Sequence, residues 1–173
     1  MQGCTKNHVS VWKWHAENPA SWSLTLEEDA APVGDFRTQL AEALQVAPAP
    51  IVSLYLGRGY IEDVRTEALL GRADLLDMNW IVAQGRILHA VALAVRGDLL
   101  PSLVDALPRG DQPIDRMLSL WARRKGHQVA YSNPSLVDHL DKESLVTRYR
   151  RTERRAWRTG VRDGWCGKMM RMQ

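Results

Sequence analysis

Hydrophobic and polar positions change their period several times along the chain, and each change predicts a different element of secondary structure. Residues 9–14 indicate a short helix that ends before Pro19, where proline and polar residues break the pattern. Residues 22–27 then alternate Trp22, Leu24 and Leu26 with smaller or polar residues, which is typical of a strand. Residues 36–47 place apolar side chains about four positions apart, which predicts a helix with Asp35 as its N-cap.

The alternation of strands and helices continues to residue 132. We expect strands over 50–56, 80–83, 89–95 and 127–132, and helices over 96–108 and 114–126. Such alternation favours an α/β domain of three layers with a mostly parallel sheet. In open sheets of this kind, ligands bind outside the carboxyl ends of the strands.

Composition indicates one soluble globular domain. The chain has 173 residues, 45% of them hydrophobic, and its seven tryptophans are not typical of a disordered chain. Cys4 and Cys166 form neither a disulfide framework nor a metal-binding pair. The longest clean apolar run, residues 90–95, is far shorter than the roughly 20 residues of a membrane span, and the N-terminus lacks the apolar core of a signal peptide. We therefore expect a cytoplasmic protein without a membrane span.

Positive charge is concentrated at the C-terminus. Residues 148–173 contain nine Lys or Arg against two acids, a local charge of +7, and because the whole chain carries +3, residues 1–147 carry −4. This division predicts a domain over residues 1–147 followed by a basic tail over 148–173 that is rich in Arg and Trp. Such a tail is compatible with phosphate-rich partners and equally with a solvated helix.

Three consecutive acids, Glu27, Glu28 and Asp29, end the strand that contains LTL. Adjacent carboxylates repel one another, and Mg²⁺ or Mn²⁺ prefers carboxylate oxygens as ligands. Because side chains alternate along extended backbone, Glu27 and Asp29 point the same way and form the better metal-facing pair. An exposed acidic turn without a metal is an equally weighted interpretation of the same residues.

Four stretches in a fixed order carry a resemblance to a known family: GCTKNHVSVW (3–12), LTLEEDAAPVGDF (24–36), PIDRMLSLW (113–121) and YSNPSLVDHLD (131–141). As an ordered set they resemble the successive motifs of the GT-A glycosyltransferases related to family 25, particularly small versions encoded in phage genomes. The resemblance implies a GT-A-like, Rossmann-like fold. It also implies transfer of a sugar from a nucleotide-sugar, with a UDP-sugar as the leading candidate, to a hydroxyl of a glycan, protein or modified-DNA acceptor.

The resemblance also implies roles for individual residues. Glu27 and Asp29 match the outer acids of the family's Glu-Asp-Asp motif, which implies that they hold Mn²⁺ or Mg²⁺ on the donor diphosphate. Glu28 replaces the middle aspartate, a position implied to contact the donor ribose. His139 stands where related enzymes supply a histidine to the metal. Asp115 matches an acidic position implied to orient or deprotonate the acceptor; a helix N-terminal aspartate favoured by the macrodipole is the alternative.

Other candidate residues rest on weaker patterns. Arg58, between Gly57 and Gly59, predicts a flexible basic loop that approaches the phosphate or sugar of the donor. We expect a capping or packing role for His8. We expect His89, on an apolar run, to be a hydrogen-bonded core histidine.

The family normally has one or two strand-helix units before the Gly-Cys motif, whereas this sequence reaches that motif at Cys4. We therefore expect an N-terminally shortened fold, with an exposed sheet edge through which copies of the chain associate. Two alternatives to a glycosyltransferase follow. One is a non-catalytic GT-A remnant that binds a glycan, a nucleic acid or its own copy, and the other is a nucleic-acid-binding module that depends on the Arg-rich tail.

Overall fold

The structure is a computed structural model that describes residues 2–18, 20–58, 64–107, 113–140 and 154–172. Its strands are β1 (Trp22–Leu26), β2 (Ala30–Pro32), β3 (Ile51–Ser53), β4 (Trp80–Gln84), β5 (Ala92–Arg96), β6 (Gln128–Ser132), β7 (Val137–His139) and β8 (Met169–Arg171). Its helices are α1 (Gln2–Glu17), α2 (Phe36–Gln45), α3 (Val64–Leu75), α4 (Leu100–Ala106) and α5 (Ile114–Lys125). The helices and strands predicted from hydrophobic periodicity up to residue 132 are thus confirmed as to type. No helix in the described ranges has the length and apolar character that crossing a bilayer requires.

Six strands form one mixed sheet in the order β1-β5-β3-β6-β4-β8, while β2 and β7 form a separate antiparallel pair. Only the β3–β6 and β4–β8 pairs are parallel, and the other three pairs of the large sheet are antiparallel. The α/β class is confirmed, but the prediction of a mostly parallel sheet is wrong. Alternation of strands and helices along a chain does not fix strand direction, because a connection can also return a strand antiparallel at the far side of its neighbour.

Helices cover both faces of the large sheet. On one face, α1, α3, α4 and α5 bury Trp12, Leu70, Leu103 and Leu118 against β3, β4, β5 and β6. On the other face, α2 buries Ala43 in a second apolar cluster. The layered arrangement expected from the sequence is therefore present, with the sheet between two separate cores.

Strand β1 differs from its predicted packing. We expected Trp22, Leu24 and Leu26 to share one apolar face. Trp22 and Leu24 do pack, partly buried, against the second apolar cluster, but Leu26 is exposed, and the residues that are fully buried are Ser23 and Thr25 on the other face. The reason is that α1 covers the Ser23 face, where Ser23 Oγ shares a hydrogen bond with His15 Nδ1. Asp35 occupies the N-cap position of α2 as predicted, but its side chain makes no capping hydrogen bond.

Residues 154–172, which we call the C-terminal segment, pack against the body of the protein. Strand β8 pairs in parallel with β4, and the Trp165 ring packs against Trp80 with centroids 5.2 Å apart. The Gln39 side chain joins α2 to this segment: its Oε1 accepts hydrogen bonds from Trp165 Nε1 and the Arg162 backbone, and its Nε2 donates to the Arg162 carbonyl. The predicted boundary between residues 147 and 148 lies outside the described residues. A solvated helix is the wrong interpretation for residues 154–172, which contain a strand and irregular chain.

Candidate functional site

The acidic stretch at the end of β1 forms a tight turn. The Glu27 backbone N–H donates to the Val91 carbonyl at 2.9 Å, which continues the β1–β5 pairing, and the Ala30 N–H then donates to the Glu27 carbonyl at 3.1 Å. The chain reverses through Glu28 and Asp29 and leaves as β2. The turn therefore holds the three acids at the margin of the sheet, beyond the carboxyl end of β1.

The pairing of β2 with β7 brings a histidine to this turn. Ala30 lies opposite His139 in the antiparallel register, and the Leu140 N–H donates to the Asp29 carbonyl at 2.9 Å. As a result, His139 Nε2 lies 3.2 Å from Asp29 Oδ2. One potential ligand atom from each of Glu27, Asp29 and His139 lies within 4.8 Å of the others. We call these three residues the acidic cluster.

The donor set of the acidic cluster suits a hard divalent cation. Two carboxylates supply oxygen ligands of the kind that Mg²⁺ and Mn²⁺ prefer, and an imidazole is an acceptable additional ligand for Mn²⁺. The side chains of Glu27 and Asp29 are 22% and 17% exposed, so the acids open to solvent while His139, at 1%, is held in place by the protein. The arrangement can therefore admit an ion from solvent without first unpacking the fold.

The Glu27 carboxylate is held in its ionised form by basic neighbours. Its Oε1 lies 3.7 Å from His8 Nε2, and the His8 ring packs against Trp12 one helical turn away. Burial would raise the pKa of Glu27, but the hydrogen bond and charge of His8, with smaller contributions from His139 and Arg154, outweigh it and lower that pKa. His8 therefore packs as expected from the sequence and also faces the acidic cluster, which the sequence did not indicate.

Glu28 occupies the outer side of the turn. It is exposed, and it makes no ion pair within the described ranges. Glu27 and Asp29 face His139 as predicted and Glu28 faces solvent, but residues 28 and 29 form a turn rather than the extended backbone on which the prediction relied. Glu28 lies between Glu27 and Asp29 in the sequence but is not part of the acidic cluster.

The start of the C-terminal segment closes over the acidic cluster. Arg154 Nη2 lies 3.8 Å from Asp29 Oδ2. The neighbouring Asp138 carboxylate accepts a hydrogen bond from the Ala156 N–H at 2.8 Å and contacts Arg155 Nη1 at 3.3 Å. These contacts place two arginines of the C-terminal segment beside Asp29, in the turn before β2, and Asp138, in β7.

Two aromatic side chains beside the acidic cluster were not identified from the sequence as functional. Tyr55 is only 1% exposed, and its hydroxyl has no hydrogen-bond partner among the described residues. Burial raises its pKa, and the charges of Asp138, Asp29 and Glu27 add to this effect. The His89 ring packs edge-on against Tyr55 with centroids 5.0 Å apart, and burial, with the charge of His139, lowers its pKa to about 4. His89 is therefore neutral at physiological pH.

Asp115 lies in the first turn of α5, outside the acidic cluster. Its Oδ1 accepts a hydrogen bond from the Arg116 N–H at 2.7 Å. Burial raises the pKa of Asp115, and the negative charge of Glu27 contributes in the same direction. The two carboxylates are thus close enough to interact electrostatically, although Asp115 belongs to a separate cavity beside α5.

Arg58, which was predicted to approach the donor, contacts the C-terminal segment. Arg58 is exposed, its guanidinium donates to the Trp157 carbonyl at 3.3 Å, and it stacks over the Trp157 ring. The structure thus brings Glu27, Asp29 and His139 together, keeps Asp115 within electrostatic range and joins Arg58 to the C-terminal segment.

Searches against protein-family models, curated proteins and solved structures found no match for this chain.

Proposed function

We propose that this chain is a metal-dependent glycosyltransferase of the GT-A type, which moves a sugar from a nucleotide-sugar to an acceptor hydroxyl. The observation that carries the proposal is the convergence of Glu27, Asp29 and His139, whose ligand atoms lie within 4.8 Å although more than 100 residues separate the acids from the histidine. The same three residues are those that the family 25 resemblance assigns to the metal.

Under this proposal, Glu27, Asp29 and His139 hold Mn²⁺ or Mg²⁺, and the donor is a nucleotide-sugar such as a UDP-sugar. The cation supplies positive charge that stabilises the departing diphosphate. The lowered pKa of Glu27 keeps that ligand ionised without the ion, so the acidic cluster is ready to bind at physiological pH. Asp29, paired with His139 at 3.2 Å, supplies the second carboxylate.

Asp115 has the properties of an acceptor-side base. A general base works best when its pKa lies near the working pH, and burial moves the pKa of Asp115 upward in that direction. The Arg116 N–H fixes one of its carboxylate oxygens, which leaves the other oxygen available to an acceptor hydroxyl. Behind the acidic cluster, the buried Tyr55 ring packs against both His139 and neutral His89.

The alternative of a nucleic-acid-binding protein is less well supported. That alternative requires arginines near the C-terminus that are available to a nucleic acid. In the structure, however, three of them contact carboxylates of the fold: Arg155 with Asp138, Arg158 with Asp74 and Arg162 with Asp77. Arginines paired with carboxylates of their own fold release fewer counterions from a nucleic acid on binding. The described part of the basic segment thus serves mainly to attach itself to the domain.

Titration calorimetry with UDP and other nucleoside diphosphates, with and without Mn²⁺, tests the proposal. We expect UDP binding that requires Mn²⁺ and that weakens at least about tenfold in Asp29→Asn, which keeps the shape of the side chain but removes a ligand charge. Glu28→Gln is the matched control: it removes a charge from the neighbouring, solvent-facing acid and should retain metal-dependent binding.

Failure of every nucleotide to bind, or binding that is independent of both Mn²⁺ and Asp29, would contradict the proposal. A thermal shift gives a second readout, because an ion that binds only the folded chain raises its melting temperature. That shift should be present in Glu28→Gln and absent in Asp29→Asn.

A further inference from the structure

A second concave site lies beside α5, away from the acidic cluster. It is a cavity of about 350 Å³ between the helix and the chain that follows β4. Arg86 and Leu88 line one wall, and Asp115, Arg116 and Arg123 line the other. Three exposed arginines from two separate segments, the chain after β4 and helix α5, therefore line one small cavity.

The charges of this cavity are unbalanced. Its lining includes three arginines and one carboxylate, that of Asp115, which leaves a formal charge of +2. No ion pair joins Arg86, Arg116 or Arg123 to a carboxylate in the ranges that the structure describes, whereas five other arginines there do form such pairs. Like charges gathered without counter-charges repel one another, and a bound anion relieves that repulsion.

The wall opposite α5 is built rather than loose. The Ile87 N–H donates to Ser119 Oγ at 2.9 Å, the Leu88 N–H donates to the Tyr131 hydroxyl at 3.0 Å, and that hydroxyl donates to the Arg86 carbonyl at 2.7 Å. Ser119 and Tyr131 are both buried, so these bonds fix the backbone of residues 86–88 against the helix and the sheet. The backbone that carries Arg86 is thereby held beside Arg116 and Arg123 before any ligand arrives.

We propose that this cavity binds the phosphate monoester of a phosphorylated acceptor, with Arg86, Arg116 and Arg123 as its ligands. The acceptor part of this inference rests on the proposed glycosyltransferase function, because it assigns Asp115, on the same wall, to the acceptor hydroxyl. A phosphate monoester carries a charge of about −1.5 to −2 at pH 7, which matches the +2 of the cavity, and it offers three terminal oxygens to three guanidinium groups. A carboxylate carries half that charge and two oxygens.

The chain between the two sites supports their use in one reaction. Residues 86–88 line the cavity, His89 packs beside Tyr55 next to the acidic cluster, and Val91 accepts the backbone hydrogen bond of Glu27. One continuous stretch of backbone thus runs from the arginines to the proposed donor site. An acceptor anchored by its phosphate in the cavity would extend its hydroxyl along Asp115 toward the donor.

Phosphate binding can be measured without metal or nucleotide, so its outcome is independent of the proposed donor site. Inorganic phosphate is titrated into the ¹⁵N-labelled full chain at constant ionic strength, with acetate as the singly charged comparison. We expect saturable shifts of the Arg116 and Ser119 amides with phosphate and weaker ones with acetate. Arg116→Gln and Arg123→Gln should each raise the Kd for phosphate roughly three- to tenfold, since each removes a charge-assisted hydrogen bond at a solvent-open site.

Arg124→Gln is the matched control, because Arg124 lies on the same helix, is exposed and does not line the cavity. It should change the Kd for phosphate by less than about twofold. Absence of saturable shifts, or equal weakening in Arg124→Gln and Arg123→Gln, would overturn the proposal. Thermal melts of all three variants establish that each is folded before its titration is read.

A competition experiment separates this cavity from the proposed donor site. Phosphate shifts at Arg116 that persist when UDP and diamagnetic Mg²⁺ are saturating would support a separate acceptor subsite. Their displacement by UDP and Mg²⁺ would assign the cavity to the donor diphosphate and refute the inference. If UDP does not bind at all while phosphate binds through these arginines, the anion site stands and the glycosyltransferase proposal fails.

Discussion

Substitution of Gly85 by alanine should destabilise the protein far more than substitution of the other glycine with positive φ in the described chain. Gly85 follows β4 with φ +56°, and a Cβ placed on it would lie 2.8 Å from the backbone N and 2.9 Å from the Cα of Arg123. Two penalties therefore add. The left-handed conformation costs an alanine about 1–2 kcal/mol, and crowding against the backbone of α5 costs about 1–3 kcal/mol more.

Part of this cost is offset because alanine restricts the unfolded chain, by about 0.4–1 kcal/mol. We expect Gly85→Ala to lower the free energy of unfolding by about 2–4 kcal/mol, which for a chain of this size is a fall in melting temperature of roughly 5–15 °C. Urea unfolding followed by circular dichroism, together with a thermal melt, measures both quantities.

Two other glycines provide matched controls. Gly126 ends α5 with φ +71°, but a Cβ added there would meet no atom within 4 Å, so Gly126→Ala incurs only the conformational penalty of about 1 kcal/mol. Gly71 lies inside α3 with the same open space, and Gly71→Ala should stabilise the protein by about 0.5–1 kcal/mol. A loss for Gly85→Ala no greater than that for Gly126→Ala would refute the close contact between residue 85 and α5.

Three further outcomes are expected. Tyr131→Phe should lower the free energy of unfolding by about 1–3 kcal/mol, because it removes the acceptor of a buried backbone N–H. Tyr55→Phe should change that free energy by less than about 0.5 kcal/mol, since the Tyr55 hydroxyl has no partner among the described residues. Equal losses for the two variants in urea unfolding would contradict this expectation. The pKa of His89 is about 4 in the folded protein and about 6.5 in the unfolded chain, so below pH 6.5 the unfolded chain binds a proton that the fold does not. The contribution of neutral His89 to the free energy of unfolding should therefore be full above pH 6.5 and should fall by up to about 3 kcal/mol toward pH 4. Replacing His89 with Gln should flatten that profile, and an unchanged profile would refute the assignment. Gln39→Ala should lower the free energy of unfolding by about 2–4 kcal/mol and make trypsin cleave the C-terminal segment faster, because three hydrogen bonds to that segment are lost. An unchanged cleavage rate would show that Gln39 does not hold the segment.

Local patterns in the sequence were sufficient to predict most of the secondary structure. The four-residue spacing of α2, the apolar face of α5 and the short apolar strands all depend on neighbours within one element. Strand direction depends instead on how distant elements pack, and the mixed sheet was not predicted. The same limit explains the packing of β1, because burial of Ser23 and Thr25 depends on the position of α1 and not on the alternation within the strand.

The residues of the candidate site also differ in whether local sequence could predict them. Glu27 and Asp29 could be selected from sequence as acids at the end of a strand, although a turn, and not extended backbone, brings them to the same side. His139 joins them only through the pairing of β2 with β7, a contact across more than 100 residues, and it was proposed solely from the family resemblance. Tyr55 was missed because hydrophobic periodicity marks it as buried, whereas its significance lies in a hydroxyl that has no partner in the described structure.

The acidic cluster is neutralised from two distant parts of the chain, and this has a consequence for ion binding. His8 on α1 lies 3.7 Å from Glu27, and Arg154 in the C-terminal segment lies 3.8 Å from Asp29. Each contact brings a basic group beside a carboxylate, and a divalent cation can replace it because the ion supplies more charge at a shorter distance. If a divalent ion binds Asp29, it competes with Arg154 for the same oxygen. Ion binding and docking of the start of the C-terminal segment are then coupled with opposite signs, and the coupling must act equally in both directions.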